Sequence, residues 1–197
     1  MRVVEIFDSI QGEGSYMGVP VTFIRLADCN LKCSWCDTKW DVGIEMSVDE
    51  ICAKVSMDRV VITGGEPLLH TDNFLNLIKG LKKRYPGIWI AVETNGTLAT
   101  TQFEKYLDWI TCSPKPQHRW RIHPQCNPNE LKYVVDGEWS PYNIPIEILH
   151  QFDGLIWLQP EGSQMEKRFK EAYDMVMQFP ARGLRVGLQM HKILEVK

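Results

Sequence analysis

Short apolar runs, separated by amphipathic segments, make up most of this chain. Seven runs are rich in Val and Ile and predict strands over Val21–Ala27, Arg59–Thr63, Ile88–Glu93, Trp109–Ser113, Leu131–Asp136, Leu155–Gln159 and Leu184–Leu188. Nearly continuous apolar runs are typical of parallel strands covered on both faces, whereas half-exposed antiparallel strands alternate apolar and polar residues. The pattern therefore predicts a parallel sheet.

The amphipathic segments between these runs predict helices. Ser47 and Glu50 have the spacing of a capping box, and the helix that they open is expected to continue to about Val55. The other predictions are a helix that follows Thr71 and stops before Pro86, a long helix after Ser163, a short helix over Thr101–Leu107 and an irregular, partly helical connection between Asp136 and Gly154. Strands that alternate with helices favour a parallel α/β fold with right-handed crossovers.

Composition and charge narrow the functional classes. The 197 residues, 44% hydrophobic and 24% charged, are enough for one domain over residues 1–197 with a substantial core. A net charge of −3 gives no reason to expect a nucleic-acid partner. Because no apolar run reaches about 18 residues and no signal peptide is visible, we expect no membrane partner and a cytoplasmic location. Six cysteines among long apolar segments favour reduced thiols over a disulfide scaffold.

The residues that can carry chemistry follow the predicted strands. The segments in question are the cysteine loop 29–36, Gly64–Pro67, Thr94–Gly96, Pro114–Lys115 and Pro160–Ser163. In parallel α/β folds, functional groups collect at the carboxyl ends of the strands. These segments therefore predict one shared site.

Three cysteines within eight residues are the strongest chemical signal in the chain. Cys29, Cys33 and Cys36 have C-x3-C-x2-C spacing, so three thiolates can hold three corners of an iron–sulfur cube and leave the fourth iron open to a small molecule. A zinc site is the alternative, although structural zinc usually takes four ligands in separated pairs. Trp35 is expected either to shield the cluster and stack on a nucleoside or to pack the loop.

A second signal is the sequence Gly64-Gly65-Glu66-Pro67, which follows the second predicted strand. Glycines leave room where another group approaches the backbone, and Glu66 would accept a hydrogen bond from an ammonium group. Alone, such a segment is more often an ordinary turn at a strand end. Its position downstream of the cysteine loop favours a ligand-binding role.

This pair of motifs resembles the radical S-adenosylmethionine superfamily. The resemblance implies a partial, open parallel β/α barrel of about six core strands and a [4Fe-4S] cluster whose open iron binds S-adenosylmethionine. It also implies that the Gly-Gly-Glu segment holds the amino group of S-adenosylmethionine, whose cleavage yields a 5'-deoxyadenosyl radical that removes hydrogen from substrate. An external electron donor of the flavodoxin or ferredoxin type is implied as well.

Most of the chain resembles one branch of this superfamily. That branch converts 6-carboxy-5,6,7,8-tetrahydropterin to 7-carboxy-7-deazaguanine, with loss of ammonia, in the 7-deazapurine (queuosine) pathway. The matching segments are Glu5–Gly14, Phe23–Leu26, Cys36–Thr38, Glu93–Thr97, Ser113–Lys115, Leu131–Val134, Gln159–Pro160 and Leu188–Lys192. The resemblance implies a radical lyase that acts on a small pterin, uses Mg²⁺ and forms a homodimer.

The same resemblance assigns roles to individual residues. Besides the cluster cysteines, it implies contacts with S-adenosylmethionine from Trp35, Asp37, Gly65, Glu66, Gly96, Ser113, Lys115, Gln159, Glu161 and Gly162, and contacts with substrate from Ile10, Gln11, Gly12, Glu13, Arg25, Thr94 and His191. Thr38 resembles a Mg²⁺ ligand, and oxygen is the donor that this hard cation prefers. The planar guanidinium of Arg25 suits a two-point grip on the substrate carboxylate.

Two other functions remain open on the sequence. A radical activating enzyme, which makes a glycyl radical on a partner protein, would share both motifs but would have no use for Arg25. A non-catalytic zinc or electron-transfer module would explain the cysteines and leave Glu66 and Gly96 without a role.

Some residues also have ordinary alternatives. Arg25 would serve equally in an ion pair at a strand end, Thr38 as a cap, and His191 as a solvent-facing side chain. The spacing of Cys112, His118, His123 and Cys126 matches no standard metal site, and no role is assigned to His118, His123, Cys126 or the C-terminal tail.

Overall fold

One sheet organises the fold of the chain, whose computed structural model describes residues 1–179 and 183–197. Its strands are β1 (Arg2–Ile10), β2 (Pro20–Leu26), β3 (Ile44–Glu45), β4 (Arg59–Gly64), β5 (Trp89–Thr94), β6 (Trp109–Cys112), β7 (Glu130–Val135), β8 (Leu155–Pro160) and β9 (Leu184–Val186). Their order is β3-β1-β2-β4-β5-β6-β7-β8-β9. Neighbouring strands from β2 to β9 are parallel. Strand β1 is antiparallel to both of its neighbours, β2 and β3. The order is linear among the described strands, so the fold is an open, partial β/α barrel.

The helices are α1 (Val48–Ala53), α2 (Thr71–Arg84), α3 (Ile146–Gln151), α4 (Met165–Gln178) and α5 (Met190–Ile193). The predicted capping box is confirmed, because Glu50 N donates to Ser47 Oγ (3.3 Å) and Ser47 N donates to Glu50 Oε2 (2.7 Å). The short helix predicted over 101–107 is reduced to one 3-10 turn at Glu104–Tyr106. In the described parts of the chain, no helix has both the length and the apolar character needed to cross a bilayer.

The seven strands predicted from apolar runs are all present, each within two residues of its predicted bounds. The sequence did not predict β1 or β3. In β1, Val3 is buried but most other side chains are only partly covered. A strand this close to the sheet edge lacks the continuous apolar run by which the central strands were recognised.

The two faces of the sheet differ in polarity. Apolar residues of β2, β4 and β5 pack against α1 and α2, and those of β7 and β8 pack against α4. On the inner face, an apolar cluster near the strand starts includes Val21, Phe23, Val61 and Ala91. Since alternate residues share a face, the next inward positions are polar, as Thr63 and Glu93 illustrate. The inner face therefore becomes polar toward the carboxyl ends of the strands.

The C-terminal segment, residues 188–197, extends from β9 to β1. Met190 N donates to Gly12 O (2.9 Å), just beyond β1. Further along, Ser9 Oγ donates to Lys197 O, and Lys197 Nζ forms an ion pair with Glu5. This segment therefore links the last and first strands that frame the open side of the barrel.

Candidate active site

The cysteine loop begins after the carboxyl end of β2 and turns back on itself. Asp28, at its start, has a left-handed backbone (φ 67°). Cys36 N donates to Cys33 O (3.2 Å), and Leu31 N donates to Cys29 Sγ (3.4 Å). All three cysteines are free thiols, with Cys29 and Cys33 partly buried and Cys36 exposed.

Burial and a nearby positive charge act in opposite directions on the pKa of the Cys29 and Cys33 thiols. Burial raises the pKa of the Cys29 and Cys33 thiols, whereas the Lys115 ammonium lowers the pKa of both. Across residues 1–179 and 183–197, no three His, Cys, Asp or Glu side chains are gathered as a ready-made ligand set. Three free thiols on one short loop are nevertheless the donor set that suits an iron–sulfur cluster, and cluster binding has to draw them together.

The glycines after β4 are required by contact between two backbones. A Cβ at Gly64 (φ 121°) would overlap the backbone of Leu26, and a Cβ at Gly65 would overlap the carbonyl of Asp28. Gly65 N donates to Leu26 O (2.9 Å), and Glu66 N donates to Asp28 O (2.8 Å). The sequence predicted close approach by a ligand; the structure adds that the cysteine loop itself needs this space.

Glu66 joins the ends of β4 and β5. Its carboxylate is fully buried and accepts hydrogen bonds from Thr94 Oγ1 (2.8 Å), Asn95 N (2.7 Å) and Leu68 N (3.1 Å). Burial raises the pKa of Glu66, while these hydrogen bonds and the Lys115 charge act in the opposite direction. The side chain predicted to bind an ammonium group, and Thr94, predicted to touch substrate, thus bind each other here.

Three polar residues that the sequence analysis did not single out support the cysteine loop. Asn95 Nδ2 donates to Asn30 Oδ1 (2.9 Å), and Asn30 Nδ2 donates to Thr97 Oγ1 (2.8 Å). Cys33 Sγ donates to Gln117 Oε1 (3.6 Å). The feature of the sequence that could have pointed to these residues is their position inside or just after the predicted motifs. They tie the cysteine loop to the segments that follow β5 and β6.

Trp35, Ser113 and Lys115, which were predicted to contact S-adenosylmethionine, lie together. Lys115 Nζ donates to Ser113 Oγ (2.5 Å) and lies 5.3 Å from the centre of the Trp35 ring. Ser113 Oγ in turn donates to Lys132 O (2.8 Å). Burial lowers the pKa of Lys115, and the nearby Lys132 charge lowers it further.

Gln159, at the end of β8, has an unsatisfied amide. The side chain is 2% exposed, and neither Nε2 nor Oε1 has a hydrogen-bond partner among the described residues. A Cβ at Gly187 would overlap its Oε1. Buried amides are almost always hydrogen-bonded, so this one is available to a ligand.

The other residues predicted near S-adenosylmethionine pack against the chain itself. Gly96 (φ 75°) has no room for a Cβ because Cys112 Sγ and Ile122 occupy that space. The Glu161 carboxylate accepts from Ser163 N (2.8 Å) and Ser163 Oγ (2.6 Å). Gly162 lies against Lys192, whose Nζ is 3.5 Å from Asp37 Oδ2.

A charged network occupies the inner face beyond the apolar strand starts. Lys132 Nζ lies 2.5 Å from Glu13 Oε2 and 3.8 Å from Glu93 Oε1. Gln11 Nε2 donates to Glu93 Oε1 (3.1 Å), and Gln189 Nε2 donates to Glu13 Oε1 (2.7 Å). Burial raises the pKa of Glu13, but the Lys132 charge and the hydrogen bonds from Lys132 and Gln189 outweigh it, so the pKa of Glu13 is lowered overall.

At Lys132, as at Glu13, the neighbouring charges have a larger effect on the pKa than burial has. Burial lowers the pKa of Lys132, but the charges of Glu13 and Glu93 outweigh that effect and raise it. Lys132 is thus a fixed cation between two carboxylates. The matching segment Leu131–Val134 contains Lys132, but its sequence does not predict the contact with Glu13.

Arg25 and Thr38 are in direct contact. Arg25 Nε donates to Glu5 Oε1 (3.0 Å), Arg25 Nη1 donates to Thr38 Oγ1 (3.1 Å), and the guanidinium lies 5.8 Å from the centre of the Phe7 ring. Burial raises the pKa of Glu5, while Lys197 and Arg25 lower it to a net decrease. The residues predicted to bind a carboxylate and Mg²⁺ therefore share one corner of the site.

The His191 side chain packs against the loop that follows β1. A Cβ at Gly12 would overlap the His191 imidazole. Burial lowers the pKa of His191, with the Glu13 charge opposing the shift. Ile10, at the end of β1 opposite Pro20, leads into the same loop. The predicted substrate residues Ile10, Gly12, Glu13 and His191 are thus neighbours.

Comparison with known protein families identifies the class of enzyme to which the chain belongs. A family model described as the Radical SAM superfamily matches residues 24–115, from β2 to Lys115. Together with the open parallel sheet and the cysteine loop at its carboxyl edge, this match makes the chain a radical SAM enzyme. Membership implies a [4Fe-4S] cluster and S-adenosylmethionine as cofactors.

Curated relatives define the family within that class. The chain is 35% identical to the 7-carboxy-7-deazaguanine synthase of Aquifex aeolicus over 98% of this chain and 93% of the relative. It is 38% identical to that of Bacteroides thetaiotaomicron, over 100% and 98% of the two chains. The crystal structure of QueE from Escherichia coli matches with a TM-score of 0.72 and 28% identity over 96% of this chain and 94% of that one. The chain belongs to the 7-carboxy-7-deazaguanine synthase family.

Proposed function

We propose that this chain converts 6-carboxy-5,6,7,8-tetrahydropterin to 7-carboxy-7-deazaguanine, with loss of ammonia, as a radical SAM carbon–nitrogen lyase. The observation that carries the proposal is end-to-end similarity to relatives named 7-carboxy-7-deazaguanine synthase. The polar inner face supports it independently, because Arg25 on β2 and the Glu13 carboxylate beside Lys132 of β7 place groups of opposite charge on that face.

In this proposal, Cys29, Cys33 and Cys36 hold the [4Fe-4S] cluster. When bound, the cluster and S-adenosylmethionine supply a 5'-deoxyadenosyl radical that removes hydrogen from C6 of the substrate. The unpaired Gln159 amide offers a donor and an acceptor to the nucleoside, and the Trp35 ring offers an apolar face. The remaining contacts are assigned to Asp37, Gly65, Glu66, Gly96, Ser113, Lys115, Glu161 and Gly162.

The substrate residues of the proposal act by charge and hydrogen bonding. The Arg25 guanidinium binds the substrate carboxylate, since a planar fork gives a two-point contact. Glu13 is kept ionised by Lys132 and is a hydrogen-bond acceptor for N–H groups of the pterin edge. Gln11 supplies an amide, and the remaining contacts are assigned to Ile10, Gly12, Thr94 and His191.

Thr38 is the proposed ligand of Mg²⁺. Its hydroxyl oxygen accepts one hydrogen bond from Arg25 and keeps a second lone pair, so a cation there would lie beside the carboxylate that Arg25 binds. Thr38→Ser keeps the oxygen and Thr38→Val removes it. We expect the valine variant to need at least about tenfold more Mg²⁺ for half-maximal turnover, and the serine variant to resemble the wild type. Equal Mg²⁺ dependence of both variants would remove Thr38 from the metal site.

A homodimer in the cytoplasm completes the proposal. Ile193, Leu194 and Val196 of the C-terminal segment and Ile44 of the edge strand β3 are all about half or more exposed, as expected for side chains that a second copy covers. The free thiols suit a reducing compartment. Sedimentation equilibrium tests the assembly, and a concentration-independent monomer would contradict it.

Anaerobic turnover tests the reaction. Reconstituted protein is mixed with S-adenosylmethionine, dithionite, Mg²⁺ and 6-carboxytetrahydropterin, and products are read by mass spectrometry. We expect 7-carboxy-7-deazaguanine, no turnover in Cys33→Ala, and a rise of about tenfold or more in KM in Arg25→Lys because the fork is lost. Arg59→Lys makes the same chemical change at the start of β4, whereas Arg25 of β2 lies beside the other end of that strand, and it should leave KM unchanged.

Two results would overturn the proposal in different ways. Cleavage of S-adenosylmethionine without pterin turnover would retain the radical chemistry and favour an activating enzyme that acts on a protein. Zinc in place of iron after anaerobic reconstitution would instead favour a non-catalytic module.

A further inference from the structure

Glu130, the first residue of β7, carries a buried carboxylate without an ion pair. The residue is 2% exposed, and among the described residues no cation lies within ion-pair distance of it. A buried charge is costly unless polar groups of the protein replace the water that it loses. The groups that contact Glu130 therefore indicate what this carboxylate does.

Four hydrogen-bond donors converge on the Glu130 carboxylate. Oε2 accepts from Ser15 N (3.0 Å), Ser15 Oγ (2.6 Å) and Trp157 Nε1 (2.8 Å), and Oε1 accepts from Thr111 Oγ1 (2.8 Å). A carboxylate has only acceptors and can receive all four donors, whereas an amide would turn its own N–H groups toward some of them. Glu130 is therefore suited to hold these donors together.

One of these partners comes from a distant part of the sheet. Thr111 and Trp157 lie on β6 and β8, the neighbours of β7, whereas Ser15 lies in the β1–β2 loop, residues 11–19. Strands β2, β4, β5 and β6 separate β1 from β7 in the sheet order. The contact between Ser15 and Glu130 therefore crosses the interior of the barrel.

The β1–β2 loop passes close to Glu130 and is closed on itself. A Cβ at Gly14 (φ 68°) would lie 2.4 Å from Glu130 Oε1, so glycine is required there. Gln11 N donates to Val19 O (2.8 Å), and Gly18 N donates to Gln11 O (2.7 Å). Because the two ends of the loop are bonded to each other, a shift at its middle is passed on to the residues that precede it.

Tyr16 holds the far side of the same loop by apolar contact. Its ring centre lies 4.5 Å from that of Trp89 and 4.9 Å from that of Trp109, and both tryptophans are at the starts of their strands. Apolar contact is non-directional, so this packing keeps the loop in the barrel without fixing its register. The directional contacts are those of Ser15.

Glu13 and Ser15 of the loop contact alternate residues of β7. Glu13 Oε2 lies 2.5 Å from Lys132 Nζ, and Ser15 donates to Glu130. Glu130 and Lys132 face the same side of the sheet, since alternate residues of a strand share a face. Movement of the loop toward the start of β7 would bring Glu13 against a second carboxylate, and the like charges oppose it. The two contacts together therefore fix the place of the loop along β7.

We propose that Glu130 is a positioning residue for the substrate. By holding Ser15, it sets the place of Gln11, Gly12 and Glu13, the groups assigned to the pterin. The inference rests on the proposed function, because only substrate binding by the loop makes its place important for activity. Glu130 does not touch the substrate in this proposal, since it lies nearer the amino end of β7 than Lys132. Misplacement of a binding group by about 1 Å is enough to cost a large factor in rate.

Steady-state kinetics with 6-carboxytetrahydropterin is the first test. Glu130→Gln keeps the size of the side chain but turns an amide N–H group toward its donors. We expect KM for the pterin to rise about tenfold or more and kcat to fall by less than about threefold. Iron content and the cleavage of S-adenosylmethionine in the absence of pterin should match the wild type. A wild-type KM in Glu130→Gln would refute the proposal.

Variants of Ser15 keep the test valid if Glu130→Gln does not fold. Ser15 is exposed, and Ser15→Ala leaves Glu130 with three of its four donors. This variant should raise KM about threefold or more, because one hydrogen bond to a carboxylate is lost. Ser15→Thr retains the hydroxyl and should restore the wild-type KM. Equal KM values in the alanine and threonine variants would contradict the role of this contact.

Asp108→Asn is the matched control for a purely structural role. Asp108 Oδ2 accepts from Ile90 N (2.8 Å) and from Lys82 Nζ (2.7 Å) of α2, so this carboxylate also holds the start of a strand, but against a helix. We expect Asp108→Asn to lower the melting temperature and to leave KM unchanged. If it raises KM as much as Glu130→Gln does, the effect comes from lost stability and the proposal fails.

Hydrogen exchange separates the anchoring of the loop from its role toward substrate. In the cofactor-free protein, peptides that cover residues 11–19 should exchange about tenfold faster in Glu130→Gln than in the wild type, as read by mass spectrometry. Unchanged exchange would show that Glu130 does not anchor the loop. If wild-type protein makes no 7-carboxy-7-deazaguanine, the proposed function fails and the substrate role of Glu130 fails with it. If the wild type makes this product and Glu130→Gln retains a wild-type KM, only the present inference fails.

Discussion

Replacing Lys132 with methionine should destabilise the fold because it leaves two carboxylates without their cation. Lys132 and Glu13 are 11% and 14% exposed with 2.5 Å between Nζ and Oε2, and Glu93 Oε1 is 3.8 Å from the same nitrogen. Breaking a buried ion pair by removing one partner costs about 3–5 kcal/mol. Loss of the Lys132 charge is therefore expected to be among the more severe single changes in this site.

The cost has an upper limit that the pH sets. A carboxyl group with the ordinary pKa of 4.5 can take up a proton instead of remaining charged, and at pH 7 this costs about 3.4 kcal/mol. At pH 5 the same protonation costs only about 0.7 kcal/mol. The loss of unfolding free energy in Lys132→Met should thus be about 3 kcal/mol at pH 7 and at least about 2 kcal/mol smaller at pH 5.

Urea unfolding of the cofactor-free protein, followed by tryptophan fluorescence, measures both values. Glu13→Gln serves as the matched change on the other partner, and the double variant closes a thermodynamic cycle. If the pair acts as described, the double variant loses about 2 kcal/mol or more less than the sum of the single variants. A loss below about 1 kcal/mol for Lys132→Met at pH 7, or a loss that is equal at the two pH values, would refute the reasoning.

Three further predictions concern the same elements. Glu66→Gln places an amide N–H toward buried donors and should lower the unfolding free energy by about 2 kcal/mol in urea titrations; an unchanged midpoint would contradict its bridging role. Because the pKa of Glu13 is lowered in the folded protein, its ionisation adds to the unfolding free energy. This contribution is complete above the ordinary pKa of the group and disappears as the pH falls through the lower folded-state pKa. In acid titrations, Glu13→Gln should therefore lack this part of the wild-type decline in stability. Gly64→Ala should abolish stable folding because its Cβ meets the Leu26 backbone, whereas Gly87→Ala, also at positive φ but in open space, should cost only about 1–2 kcal/mol; equal melting temperatures would disprove the close-contact argument.

The sequence was most informative where one local rule decides the structure. The parallel strands were found because burial on both faces leaves a continuous apolar run, and α1 was found because its cap is encoded within four residues. β1 was missed because its pairing with β2 is a long-range property, and its exposed positions dilute the apolar signal. The helix predicted over 101–107 is longer than the observed 3-10 turn at Glu104–Tyr106, because the local pattern alone does not determine its length.

Site chemistry was predictable as residue type but not as arrangement. The cysteines, Arg25 and Glu66 stood out by motif, whereas the partners that hold them come from distant positions. Gln117 meets Cys33 across 84 residues, and Lys132 meets Glu13 across 119. A lysine within a strand has no local feature that marks it as a buried counter-charge, so the pairing of Lys132 with Glu13 could be recognised only once the sheet had brought β7 beside the loop after β1.

The arrangement of charge on the inner face bears on how a substrate would be oriented. At one position the Arg25 guanidinium, bound to Glu5 through Nε, offers a positive group on the inner face. Glu13 and Glu93 surround Lys132 at the other, which leaves an excess of negative charge. In the proposed function, a pterin with a carboxylate at one end and N–H donors along the other edge matches both signs in one orientation and opposes both when reversed. Orientation would therefore follow from fixed charges placed before the substrate arrives, without a rearrangement of the barrel.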